Sequence, residues 1–177
     1  MAEASRRAAA RPTRGGLANV LFVATGVEHV PPDLDGLADR VTVRFPWGSL
    51  LGGALGLDGS VAAAIARLVA PGGRLEIVLS VVERDSAAVG RGAFGRGDVE
   101  RMAAVYGDLG LDLMEARLLT PDEVRATGST WARRLRTADR PVWRMDLRRP
   151  VPVAAAATRP PSPTAVGYPR IERMQGG

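Results

Sequence analysis

Short apolar runs alternate with stretches of helical spacing along this chain. Residues 19–25 (NVLFVAT) are almost continuously apolar and rich in β-branched side chains, the pattern of a strand buried on both faces. A turn-rich stretch follows, with Asp33, Asp35 and Gly36 as breakers, and residues 41–47 (VTVRFPW) read as a second strand ending in Pro46 and Gly48. Gly59-Ser60 caps a helix over residues 61–70, which Pro71-Gly72-Gly73 stops, and residues 74–82 (RLEIVLSVV) form a third strand. Residues 86–97, rich in Gly and Arg, read as a loop. Asp98 caps a helix running to about residue 108, with Val99, Met102, Ala103 and Tyr106 along one face and Gly110 at its end. Residues 111–119 are strand-like. Thr120-Pro121-Asp122-Glu123 starts a short helix, with Pro at the first helical position and a carboxylate three residues after Thr, and Gly128 ends it. Residues 142–147 (VWRMDL) alternate like a last strand. The opening MAEASRRAAA reads as a helix stopped at Pro12, and residues 150–177, rich in Pro and Ala, as a disordered tail. Strands alternating with helices predict an α/β domain over residues 1–149 with a mostly parallel sheet, whose ligands sit at the carboxyl ends of the strands.

The least ordinary residues fall at those ends. Gly26, Val27 and Glu28 follow the first strand, and Phe45-Pro46-Trp47-Gly48-Ser49 closes the second. Trp47 either covers the sheet edge or forms a flat wall for a planar ring, with Pro46 fixing the backbone and Gly48 allowing close approach. A second cluster runs from Gly128 through Ser129, Trp131, Arg133 and Arg134 to Arg136. Between residues 125 and 149 there are eight Arg and two Asp, a net +6, against +5 for the whole chain. Positive charge beside an aromatic side chain is either a solvated Arg-rich face or a surface for gripping RNA phosphates next to a stacking platform. Its concentration in one window favours the second.

Composition removes several chemistries. The 177 residues, 46% of them hydrophobic, can build one core and exclude wholesale disorder. All 24 basic residues are Arg, a bias that a GC-rich coding sequence also produces, so net charge alone is weak evidence for a nucleic-acid partner. With no Cys and one His (His29), disulfide scaffolds, zinc fingers, cysteine proteases and a freely placed Ser-His-Asp triad are disfavoured. No run approaches the roughly 20 apolar residues of a membrane span, and no secretory signal opens the chain; the expectation is a cytoplasmic protein without metal or membrane.

NVLFVATGVEHVPPDLDGLADRVTVRFPWGSLL together with GSTWARRLR resembles the 16S ribosomal RNA (adenine-1408-N1) methyltransferases, the kanamycin–apramycin resistance family, over residues 1–149. The resemblance implies a class I (Rossmann-like) fold with strand order 3-2-1-4-5-7-6, S-adenosyl-L-methionine as cofactor and 16S rRNA in the 30S subunit as partner. It implies that Trp47 and Trp131 hold a flipped adenine, and that Val27, Glu28, Phe45, Ser49 and Ser129 lie at the cofactor. Arg133, Arg134 and Arg140 would hold the RNA backbone. Adenine N1 carries a neutral lone pair at pH 7, so methyl transfer needs no general base. That suits a chain with one His. What remains is base extrusion, in-line positioning and stabilisation of growing positive charge, which stacked indoles supply.

Family members open with a strand ending in an Asp-x-Gly-x-Gly turn and a second strand ending in an acid. Neither is found in this sequence, where MAEASRR matches the helix that follows that acid. In the family's order the two strands lie between NVLFVAT and VTVRFPW, so the expectation is a sheet lacking its two N-terminal strands and a weakened cofactor pocket. Two other readings stay open: a catalytically inactive RNA-binding remnant, and an S-adenosylmethionine-dependent methyltransferase of another substrate.

Overall fold

The computed structural model describes residues 22–81, 94–129 and 140–152, together with residues 6, 10, 13, 17, 19 and 20. Four strands form one mixed sheet: β1 (Ala38–Arg44), β2 (Val69–Leu79), β3 (Asp112–Leu118) and β4 (Trp143–Arg148), in the order β1-β2-β4-β3. β1 and β2 run parallel, and β4 is antiparallel to both β2 and β3. The sequence pattern predicts a mostly parallel sheet; two of the three pairings are instead antiparallel. The order is that of the last four strands, 4-5-7-6, of the class I sheet.

Helices α1 (Ser49–Ala54), α2 (Gly59–Arg67), α3 (Arg96–Asp108) and α4 (Pro121–Ala126) accompany the strands. Asp58 caps α2 by accepting from the backbone N–H groups of Ser60 and Val61. α4 starts as the sequence reading expects, with the side chains of Thr120 and Glu123 each accepting the other's backbone N–H. Helices α1, α2 and α3 lie on one face of the sheet. There Val61, Ile65, Met102 and Tyr106 close over Val43, Leu75, Ile77, Leu79, Met145 and Leu147. The Tyr106 hydroxyl, buried within this core, donates to the Gly53 carbonyl at 3.0 Å, and desolvation pushes its pKa upward.

Two further expectations are overturned. The described positions of residues 19–25 form no strand, and Phe22 and Val23 are 40% and 59% exposed. Strand conformation leaves N–H and C=O groups that need a neighbouring strand, and none of the four strands lies beside this run. Pro71-Gly72-Gly73 does not separate helix from strand either. It lies inside β2, where the pairing with β1 shifts between Ala38↔Val69 and Arg40↔Arg74. A Cβ on Gly73 would sit 2.8 Å from the Ala70 carbonyl oxygen and 2.9 Å from that of Ala38, so this bulge requires glycine. Residues 82–93, which include most of the expected Gly/Arg-rich loop, the TWARRLR segment and the tail beyond residue 152 lie outside the described residues.

Candidate active site

β1 delivers the Phe45–Ser49 turn to the carboxyl end of the parallel strands. Its last turn-forming hydrogen bond runs from the Phe45 N–H to the Val78 carbonyl at 2.7 Å. Phe45 itself has φ +49°, a left-handed value that is costly for a bulky residue, and doubly so before proline. Its ring is buried with Val78, Val124 and Val142, and this packing holds the strained backbone in place. Gly48 has φ +59° and ψ −137°, a region almost closed to other residues, and α1 begins at Ser49 directly after it. Between these two fixed points Pro46 is buried and Trp47 is turned outward, 62% exposed. Of the two roles open to Trp47, covering the sheet edge is the one its exposure disfavours.

A groove of about 650 Å³ runs along the outer edge of β1, lined by Val27, Val41, Val43, Leu50, Ile65 and Leu68 with Thr42 and Arg44. Val27 reaches it from a 3-10 turn (Val27–His29) whose next residue is Glu28. Ser49 precedes Leu50 on the opposite wall. Val27 is the one cofactor candidate lining this groove, which follows the edge of β1 where the family's strand order puts the two strands not found in this sequence; Glu28 is exposed beside Val27. Among the described residues no group of three His, Cys, Asp or Glu side chains could hold a metal.

Arg44 joins the Trp47 turn to the segment carrying Ser129. Its guanidinium donates to the Thr127 carbonyl at 2.9 Å and to Glu76 Oε1 at 3.3 Å. Thr127 in turn accepts the Ser129 N–H on its hydroxyl at 3.4 Å, and Gly128 takes φ +69° to release the chain from α4. Glu76, 7% exposed, also pairs with Arg144 at 3.2 Å. Neither Arg44 nor Glu76 was a candidate from sequence. The signal was present: a lone acid in the middle of an apolar strand, RLEIVLSVV, needs a cation, and Arg44 immediately precedes the aromatic turn. α4 is fixed from the other side by Arg117, which grips Glu123 through two hydrogen bonds of 2.7 and 3.0 Å. That contact, with the Thr120 N–H, holds the Glu123 pKa down at about 2.

The structure thus links Phe45, Trp47 and Ser49, at the carboxyl end of β1, to Ser129 through Arg44, with Phe45 contributing to the core rather than an exposed ring; Val27 lines the groove along the lateral edge of β1, with Glu28 next to it in the same turn. Arg140 is half-buried just before β4. Trp131, Arg133 and Arg134 lie outside the described residues. Part of the Arg-rich window is structural: Arg149 donates to the Val69 and Ala66 carbonyls, Arg125 pairs with Asp122, and Arg144 with Glu76 and Asp146. The third tryptophan, Trp143, packs edge-on against Phe94 at 5.6 Å.

The sequence model of the family described as NpmA: 16S rRNA (adenine(1408)-N(1))-methyltransferase matches residues 1–147. The chain belongs to this family. It is 34% identical over 142 residues to the 16S rRNA (adenine(1408)-N(1))-methyltransferase of Streptoalloteichus tenebrarius, covering 78% of this chain and 65% of that protein. An Escherichia coli enzyme of the same name is 26% identical over 140 residues, covering 74% of this chain and 63% of its own length. The chain therefore spans a little under two thirds of these relatives. Among solved structures, a tryptophan-to-alanine variant of a 16S rRNA (adenine(1408)-N(1))-methyltransferase with cosubstrate SAM, from Catenulisporales acidiphilia, superposes with a TM-score of 0.75 at 28% identity, covering 86% of this chain and 71% of that one. The 16S rRNA methyltransferase KamB superposes at 0.72 and 30% identity, covering 85% and 72%. The fold is that of the S-adenosylmethionine-dependent methyltransferases.

Proposed function

We propose that this protein is a cytoplasmic enzyme that transfers a methyl group from S-adenosyl-L-methionine to N1 of adenine-1408 in the 16S rRNA of the 30S subunit, and so confers aminoglycoside resistance. The observation that carries this reading is Trp47, an outward-facing indole on a turn whose two flanking backbone conformations are both restricted. A ring displayed on a rigid, strained turn is ready to stack on a base flipped out of its helix, and stacking is worth ~1–3 kcal/mol per base. Val27, Glu28, Ser49 and Ser129 would hold the cofactor, which supplies an electrophilic methyl group when bound, while the buried Phe45 ring fixes the turn that carries Trp47 and Ser49. Trp47 and Trp131 then fix the adenine plane so that the N1 lone pair points at the methyl, and their π faces attract the cationic ring that results. No side chain has to accept a proton. Arg133, Arg134 and Arg140 would grip backbone phosphates around the flipped base.

The test is primer extension on 16S rRNA after incubation of 30S subunits from an aminoglycoside-susceptible bacterium with the protein and S-adenosylmethionine. N1 methylation blocks Watson–Crick pairing, so reverse transcription should stop next to adenine-1408, and expression in that bacterium should raise tolerance to kanamycin and apramycin. Full read-through by well-expressed protein would contradict the assignment.

A further inference from the structure

The sheet face opposite the main core carries three rows of side chains at right angles to the strands. Register places Arg40, Arg74, Arg148 and Asp112 side by side in the first row, Thr42, Glu76, Asp146 and Glu115 in the second, and Arg44, Val78, Arg144 and Arg117 in the third. The third row lies at the site end of the parallel strands, and its arginines neutralise the middle row. Arg44 and Arg144 bind Glu76, Arg144 binds Asp146 at 2.9 Å, and Arg117 binds Glu115 at 3.3 Å. The first row is left over. Arg40 touches Glu76 at 4.0 Å with its side chain 62% exposed, while Arg74 and Arg148 face each other across β2 and β4 with no carboxylate within ion-pair distance of either among the described residues. Like charges directly opposite on adjacent strands destabilise a sheet, so this arrangement stores repulsion that an anion between them would relieve. Both arginines line a shallow cavity of about 280 Å³ together with Arg144, Glu115 and Asp146; there Glu115 and Asp146 are taken up by Arg117 and Arg144, which leaves Arg74 and Arg148 to meet an anion.

We propose that Arg40, Arg74 and Arg148 bind phosphates of an RNA backbone. This makes a second contact roughly 13 Å from the Trp47 end, four residues back along β1 at about 3.3 Å each. It rests on RNA being the substrate class. An open row on a flat sheet face, without converging backbone N–H donors, suits an extended polyanion; a small free phosphate is held by an enclosed nest or helix N-terminus. Arg adds bidentate geometry for successive phosphate oxygens.

The experiment measures binding of a fluorescein-labelled single-stranded RNA to the full chain at a series of salt concentrations. The Arg74→Gln/Arg148→Gln variant should lower the slope of log Kobs against log salt by about 1.4, at about 0.7 per phosphate contact, while Arg74→Lys/Arg148→Lys keeps most of it. Trp47→Ala should leave the slope unchanged. Removing the like-charge pair should leave the melting temperature of the Gln variant equal or higher in phosphate-free buffer. An unchanged slope, or wild-type protein that does not bind RNA, would overturn the proposal. So would an inorganic-phosphate-dependent rise in melting temperature that the Gln exchanges abolish while the RNA slope stays the same. Because the readout is binding alone, a slope that falls as expected with no methylation at adenine-1408 would remove the methyltransferase reading and leave the row. Methylation with an unchanged slope would do the reverse.

Discussion

Successive residues of β2 divide the molecule in two. Leu75, Ile77 and Leu79 are sealed under the helices with no exposed surface, while Arg74 and Glu76, one step away along the same strand, belong to a face ruled by charge. The helix-covered face is held by apolar burial, with the Tyr106–Gly53 hydrogen bond inside it. The other is held by arginines that bridge elements and, at the site end, by the small cluster of Phe45, Val78, Val124 and Val142, and it connects directly to the Trp47 turn through Arg44. The comparison shows that strand alternation separates what folds this protein from what positions its site, so substitutions of neighbouring residues should have effects of different kinds.

The largest effect belongs to the apolar face. Ile77→Ala opens a cavity in the middle of the sheet and should destabilise the protein by roughly 2–5 kcal/mol in denaturant unfolding. A loss under 1 kcal/mol would mean that the helices do not close over β2 as described. On the charged face, Glu76→Ala removes the carboxylate shared by Arg40, Arg44 and Arg144 and should cost about 1–3 kcal/mol. It should also loosen the Thr127–Ser129 segment, read as faster amide exchange at Ser129, which the apolar substitution should not affect selectively. Unchanged exchange there would break the link from Glu76 through Arg44 to the site.

A third prediction uses pH. Glu123 titrates at about 2 in the folded protein against an ordinary value of 4.5, because Arg117 and the Thr120 N–H favour its charged form. A lowered folded-state value means stability that is complete above the unfolded value and is lost as pH falls from about 4.5 towards 2. Melting curves of wild type and Glu123→Gln should therefore differ at pH 6 and converge by pH 2. Parallel curves across that range would exclude the Arg117–Glu123 grip. Thr120→Ala, which removes one half of the same capping arrangement, should cost about 1 kcal/mol.

Local chemistry was legible in the sequence where it was self-contained. The Thr120-Pro121-Asp122-Glu123 start of α4 needs no partner outside its own turn, and the structure forms it as expected. The spacing of Val99, Met102 and Tyr106 placed the buried face of α3 for the same reason. Residues 19–25 failed because strand propensity is a statement about fitting a sheet, and no strand lies beside that run. Pro71-Gly72-Gly73 has the composition of a stop because a bulge inside a strand uses the same residues as a turn; the close approach of the Ala38 and Ala70 carbonyls to Gly73 separates the two. In the site, Phe45, Trp47 and Ser49 were conspicuous as a motif. Arg44 and Glu76 were not, because their partnership spans 32 residues and depends on which strands become neighbours.

The central claim is that Trp47 acts on the flipped base and not on the fold. The direct measurement is Trp47→Ala assayed two ways: thermal unfolding, and single-turnover methylation of 30S subunits. With the indole 62% exposed, the melting temperature should stay within a degree or two of wild type. Methylation should slow by roughly ten- to a hundredfold, the rate equivalent of ~1–3 kcal/mol of lost stacking at ~1.4 kcal/mol per decade, with partial recovery in Trp47→Phe. A variant that melts far below wild type, or that methylates at the wild-type rate, would contradict the account.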